Sequence, residues 1–153
     1  MSSSVDTFTP GFGVDPTSSG STTRIGLYYY FYPDGNCDIE TCQLNVGYIS
    51  STDGGQSWSD PRQVAGPMDV SWLAPTTGGL MFGDYIGSAI VGRHAMTVVA
   101  TATAPTDHVF NEPMVAPPGG LPVTGGAATA QAASVAGPTA LATPARTSRR
   151  TAF

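Results

Sequence analysis

A carboxylate, three hydroxyls and a tryptophan crowd into Ser51-Thr52-Asp53-Gly54-Gly55-Gln56-Ser57-Trp58, inside the stretch SSTDGGQSWSDP. An acid beside hydroxyls is one way to build a base and a nucleophile. The same residue types also close turns. Asp53 can accept hydrogen bonds from backbone N–H groups just after it, as an Asx-type cap. Gly54 and Gly55 allow the positive φ that a chain reversal between strands needs. The Ser51 and Ser57 hydroxyls can satisfy further groups of the turn, and Trp58 can fold its indole over the hairpin. Each fixed position of S-x-D-x-G-x-S-W thus has a mechanical use, and the spacing favours a turn over a catalytic centre.

Other reactive side chains are scattered. Cys37 and Cys42, in NCDIETC, suit a small disulfide loop, with free thiols as the alternative. A metal site is disfavoured, because no second Cys or His pair stands at ligand spacing. Glu40 and Glu112 read as solvated, and His94 and His108 are isolated. The aromatic run Tyr28–Tyr32 can stack on sugar rings, but core packing is the favoured role. No Ser/His/Asp arrangement stands out, and no cofactor is implied.

The elements that must position these residues are strands. The chain has 153 residues, enough for about one domain. Only 11% are charged, while 19 Gly and 13 Pro supply turns. RIGLYYYFYP (24–33) reads as a strand closed by Pro-Asp-Gly, with both faces apolar enough to be covered. QLNVGYIS (43–50) is a second strand leading into the Asp53 motif, and RQVA (62–65) a short edge strand after it. Leu80–Val91, a turn at Gly92-Arg93 and His94–Thr103 predict a hairpin. HVFNEPMVAP (108–117) offers one more strand. Residues 1–22 read as loop or tail with one short strand near Phe8–Val14. No helical period occurs anywhere, so the fold class is all-β.

The motif at 51–58 resembles the Asp-box of sialidase-like, BNR-repeat β-propellers. The resemblance covers about residues 23–116 and implies a partial propeller of about two four-stranded antiparallel blades. QLNVGYIS would be the third strand of a blade, RQVA the fourth and RIGLYYYFYP the second. It also implies that Ser51, Asp53, Gly55, Ser57 and Trp58 are structural and lie on the rim away from the active site. MFGDYIGSAIVG and HAMTVVATA look like the first two strands of a next blade. First strands line the central channel in that family, which makes Asp84 and Tyr85 the candidates for a ligand or catalytic site. The competing reading has Asp84 capping a bulge and Tyr85 packed between blades. A blade takes about 40–50 residues and a closed ring at least about four of them. The expectation is therefore a piece of a larger propeller, with the remaining blades as partners, glycans as possible ligands and an extracellular or cell-surface setting. The MSSSVDTFTPGF start has no secretory signal pattern.

Sialidases of this family use three arginines on the substrate carboxylate, a Tyr nucleophile assisted by a Glu, and an acid/base Asp. Here Arg62 follows the Asp-box, Arg93 sits at a turn, and Arg24 matches the family's Tyr/Phe-Arg-Ile-Pro signature only as Arg-Ile. The catalytic set is incomplete in this sequence. The two function classes left are a piece of an exo-α-sialidase-like glycoside hydrolase and a non-catalytic propeller module with a binding or scaffold surface. A net charge of −5 gives no footprint for nucleic acid.

Residues 117–153, rich in Ala, Thr, Gly and Pro, are expected to be disordered. Within them LPVTG (121–125) resembles the sortase sorting sequence, and Arg146, Arg149 and Arg150 form a basic end. Ala127–Ala145, with Val135 and Leu141 alone among its leucines and valines, is too poor in them for a membrane span.

Overall fold

The computed structural model describes residues 4–126 and 128–129. Its first half is one antiparallel meander: β1 (Asp6–Val14), β2 (Ile25–Tyr32), β3 (Gln43–Ser51) and, after the two-residue β4 (Ser57–Trp58), β5 (Arg62–Asp69). The sheet order is β1-β2-β3-β5, so spatial order follows chain order. The three strands expected around the Asp53 motif are all present, with that motif in the β3–β5 connection. β1 is the short strand expected near Phe8–Val14, begun two residues earlier at Asp6. It is nine residues long and pairs with β2 from Asp6↔Tyr32 to Val14↔Ile25 across a bulge.

A short 3-10 turn (Val70–Trp72) leads to two small hairpins and a second sheet. The first hairpin is β6 (Ala74–Thr76) with β7 (Gly79–Met81). The second sheet is built on β8 (Gly87–Val91) and β9 (His94–Ala100), paired from Gly87↔Val98 to Val91↔His94 around the expected Gly92-Arg93 turn. β10 (Thr103–Thr106) and β11 (Val109–Asn111) make the other small hairpin, while β12 (Met114–Val115) and β13 (Leu121–Pro122) both pair with β9. Finally β14 (Ala128–Thr129) pairs with β4.

Three boundaries differ from expectation: besides the two described next, the strand expected over 108–117 is divided at Glu112-Pro113 into β11 and β12, which pair with β10 and β9. The strand expected over Leu80–Val91 is split: Gly83 has φ 125°, and residues 82–86 form a loop between β7 and β8. Phe82 and Ile86 in that loop pack on the core, Phe82 with its ring 4.2 Å from that of Tyr30. The second difference is at 117. Leu121 and Val123 are buried, so the structured chain runs on through what the composition marked as tail. Two large side chains among glycines and prolines are enough when β9 and the first sheet stand ready to cover them. Apart from β14, the expected tail beyond residue 126 lies outside the described residues.

The two sheets pack face to face. Alternation along β2 and β3 sends Tyr28, Tyr30, Leu44, Val46 and Tyr48 to one side, where they meet Ile86, Ala95, Val99, Leu121 and Val123. Gly26 lets β9 approach closely, since a Cβ there would stand 2.6 Å from that of Ala95. Three phenols finish the contact by donating to backbone carbonyls of the opposite layer: Tyr28 to Ala95 (2.8 Å), Tyr30 to Ala100 (2.7 Å) and Tyr48 to Pro122 (3.1 Å). Each buried hydroxyl is thereby satisfied while its ring fills the core. On the other face of the first sheet the ring of Tyr29 lies over Gly47, its cross-strand partner. The architecture is all-β and antiparallel, and no sheet among the described residues closes on itself.

Candidate functional site

The Asp53 motif folds into a closed polar network. Asp53 Oδ1 accepts from the Ser57 backbone N–H (2.9 Å) and from the Ser51 hydroxyl (2.7 Å), and Oδ2 accepts from the Ser57 hydroxyl (2.5 Å). The Ser51 oxygen in turn accepts from the N–H groups of Asp53 and Gly55. Gly54 and Gly55 have φ of 73° and 87°, which a side chain would strain. The half-buried Trp58 ring comes back over Gly55 towards Ile25. These hydrogen bonds, the Ser57 hydroxyl first, hold the Asp53 carboxyl down at about 2. A carboxylate already receiving three donors, with so low a pKa, is a poor base near neutrality. Its chemistry is to stay ionised and hold the turn.

Two further ties anchor this turn. The Gly54 N–H donates to the Thr23 carbonyl, joining it to the β1–β2 connection. Ser50, fully buried beside it, donates its hydroxyl to the Thr124 carbonyl and accepts from the Thr124 N–H, both at 3.0 Å. The Asp53 motif and LPVTG, 60-odd residues apart by sequence number, are therefore neighbours. Leu121 and Val123 sit in the core, and the Val123 N–H donates to the Arg93 carbonyl. LPVTG is a structural strap in this fold, and the bond between Thr124 and Gly125 is held against the body.

Asp84 and Tyr85 are brought to nothing. Both are exposed, Tyr85 at 90%, in the loop between β7 and β8. Among the described residues the Asp84 carboxylate has no hydrogen-bond partner and Tyr85 faces solvent. The aromatic run goes to the core instead. Burial raises the phenol pKa of Tyr28, Tyr29, Tyr30, Tyr32 and Tyr48, with Tyr30 pushed up to about 12. None of these is primed as a nucleophile.

Cys37 and Cys42 form a disulfide with Cα atoms 5.0 Å apart. Asp38 organises the enclosed turn, accepting from the N–H groups of Glu40 and Thr41 and from the Thr41 hydroxyl, which lowers its pKa. Glu40, His94 and His108 are exposed. Glu112, expected to be solvated, accepts the Ala74 N–H at 2.7 Å and so ties β6 to the β11–β12 connection.

One polar contact was missed by sequence reading. Asp15 is buried just beyond β1 and forms an ion pair with Arg24, whose Nε donates to Oδ2 at 2.7 Å. The Thr17 hydroxyl and N–H also donate to Asp15 and, with Arg24, lower its pKa. The signal lay in Asp15-Pro16-Thr17, an Asx-turn pattern. Arg24 is thereby spent on structure. Among the described residues no three His, Cys, Asp or Glu side chains gather to hold a metal, and no helix is long and apolar enough to cross a membrane. No protein-family model, curated protein or solved structure matches the chain.

Proposed function

We propose that the chain is a scaffold and binding part of an Asp-box, sialidase-like β-propeller, and that its described residues carry no glycosidase centre of their own. The observation carrying this reading is the setting of the Asp53 network. It closes the connection between the third and fourth strands of a four-stranded antiparallel meander, where the Asp-box of that family stands. The side of the second sheet turned away from the first gives further support. Val91, Val98 and Met114 lie there 64%, 47% and 62% exposed, an apolar surface suited to another sheet. In this reading further blades complete the ring, glycans are the natural ligand class, and the disulfide suits an extracellular setting. A fluorogenic sialoside assay on the chain tests the catalytic half of the proposal. No turnover is expected; turnover that tracks the purified chain and survives in an Asp84→Asn, Tyr85→Phe double variant would place a complete glycosidase site elsewhere in it and defeat the proposal.

A second reading, a self-contained small β-sandwich, has its own support: the two sheets share one core running from Tyr28 to Val123. Sedimentation and denaturant unfolding separate the two. A monomer with a single cooperative transition favours the sandwich, whereas association through exposed sheet faces favours the propeller piece.

A further inference from the structure

Two sheet borders face one another across a cleft of about 450 Å³. One wall is β5, the last strand of the first sheet; the other is the segment 115–122. Arg62, Gln63, Val64 and Ala65 line the cleft without a gap. The β3–β5 register slips within this run, Gly47 standing opposite Gln63 and Val46 opposite Ala65, so Val64 is a bulge residue and alternation is broken there; it is the place of β5 as last strand of its sheet that puts an edge at the cleft. Among the described strands β5 pairs with β3 alone, which leaves the N–H and C=O groups of its other edge without a strand partner there. The opposite wall carries Pro117, Pro118 and Pro122. Prolines have no N–H to offer, and β12 and β13 on that wall pair with β9, so among the described residues no ladder joins it to β5.

The cleft also has a charge. The described residues hold three arginines. Arg24 is paired with Asp15, and Arg93 lies at the Gly92-Arg93 turn. Arg62 is exposed at the cleft with no carboxylate at ion-pair distance among the described residues. Arg62 is thus the one charged side chain lining the cleft, and its planar fork suits a carboxylate.

We propose that this cleft takes an extended peptide bearing a carboxylate side chain, added as a further strand on β5 with its carboxylate on Arg62. Main-chain pairing supplies the affinity in such strand addition, and the charged contact sets register. The proposal does not depend on the propeller reading.

The test uses the full 153-residue chain and a fluorescein-labelled hexapeptide of alternating valine and threonine with one central glutamate. Anisotropy titration should show saturable binding, weakened about tenfold by Arg62→Gln or by glutamine in place of the peptide's glutamate, the usual scale for one charge-assisted contact. N-methylation along one edge of the peptide should abolish binding, and hydrogen exchange should slow at 62–65 when the parent peptide is added. Circular dichroism confirms that Arg62→Gln is folded, and Arg62→Lys should recover part of the loss. Absence of saturable binding overturns the proposal. So does an N-methylated peptide that binds like its parent, protection confined to another segment, or complete displacement by acetate alone.

Discussion

Leu121→Ala separates a tail from a working part of the core. The composition after residue 117 argues for disorder, and a disordered leucine would cost nothing to remove. The structure instead leaves Leu121 only 7% exposed and Val123 3% exposed, both facing the layer of Tyr28, Tyr48 and Val46. Truncating a leucine so enclosed removes its transfer free energy and leaves a cavity, about 2–5 kcal/mol in comparable sites. The lower half of that range is expected here, because β13 has two residues and sits at the border of its sheet, where neighbours can settle inward. Val123→Ala removes two methyl groups for about 1–2 kcal/mol. The two side chains lie at i and i+2 on one face, so the double variant should lose less than the sum. Urea unfolding followed by tryptophan fluorescence reads both midpoint and slope, and Tm should fall by about 8–15 °C for Leu121→Ala. A loss below about 0.5 kcal/mol, no larger than that of an exposed control such as Thr77→Ala, would show that 121–123 does not belong to the core and would refute the packing argument.

Reducing the Cys37–Cys42 bond opens a loop of six residues, for which loop-closure entropy gives a loss of about 2 kcal/mol; a dithiothreitol-treated sample should show it in the urea midpoint, and an unchanged midpoint would mean that Asp38 holds the turn alone. Asp53 stays ionised in the fold down to about pH 2, so its contribution is complete above about pH 4 and is lost as pH falls towards 2. Asp53→Asn should therefore destabilise at pH 7 and flatten the acid limb of the stability profile; an unchanged acid limb would count against the network. The tyrosines act at the other end: with phenol pKa values raised in the fold, stability is full below about pH 10 and falls as pH rises towards 12, and phenolate absorbance should appear together with unfolding. A sortase should leave the folded chain intact at Thr124-Gly125 and cut only in denaturant; cleavage at equal rates in both conditions would contradict the strap.

The legible parts of the fold were those with a short-range physical cause. The β-branched and aromatic runs at 25–32 and 43–51 could only be strands, and Gly92-Arg93 could only be a tight turn between apolar segments. The Asp53 motif was readable in full because donors and acceptor lie within seven residues, so the network needs no distant partner. Asp84 and Tyr85 stand on a segment of the opposite kind. Their proposed role depended on a strand running unbroken into β8, and the inward pull of Phe82 and Ile86 on either side turns that segment into a loop with its polar residues outside.

The same contrast explains the two features that no local pattern announced. LPVTG is short, flanked by glycines and poor in large side chains, and nothing nearby in sequence reveals that Ser50 holds Thr124 from both sides. The cleft beside β5 depends on the juxtaposition of residues 62–65 with 115–122, set by how the sheets stack. Both places also fix the chain's open border: the strap pins one end of the 115–126 segment to β3, while its prolines keep the other part from pairing with β5. Among the described residues the outer edge of β5 has no strand partner and Arg62 no ion pair, and with a buried strap behind it this border is better suited to receive a strand than to serve as a rigid wall. That is where binding should be sought first, ahead of the exposed Asp84–Tyr85 loop.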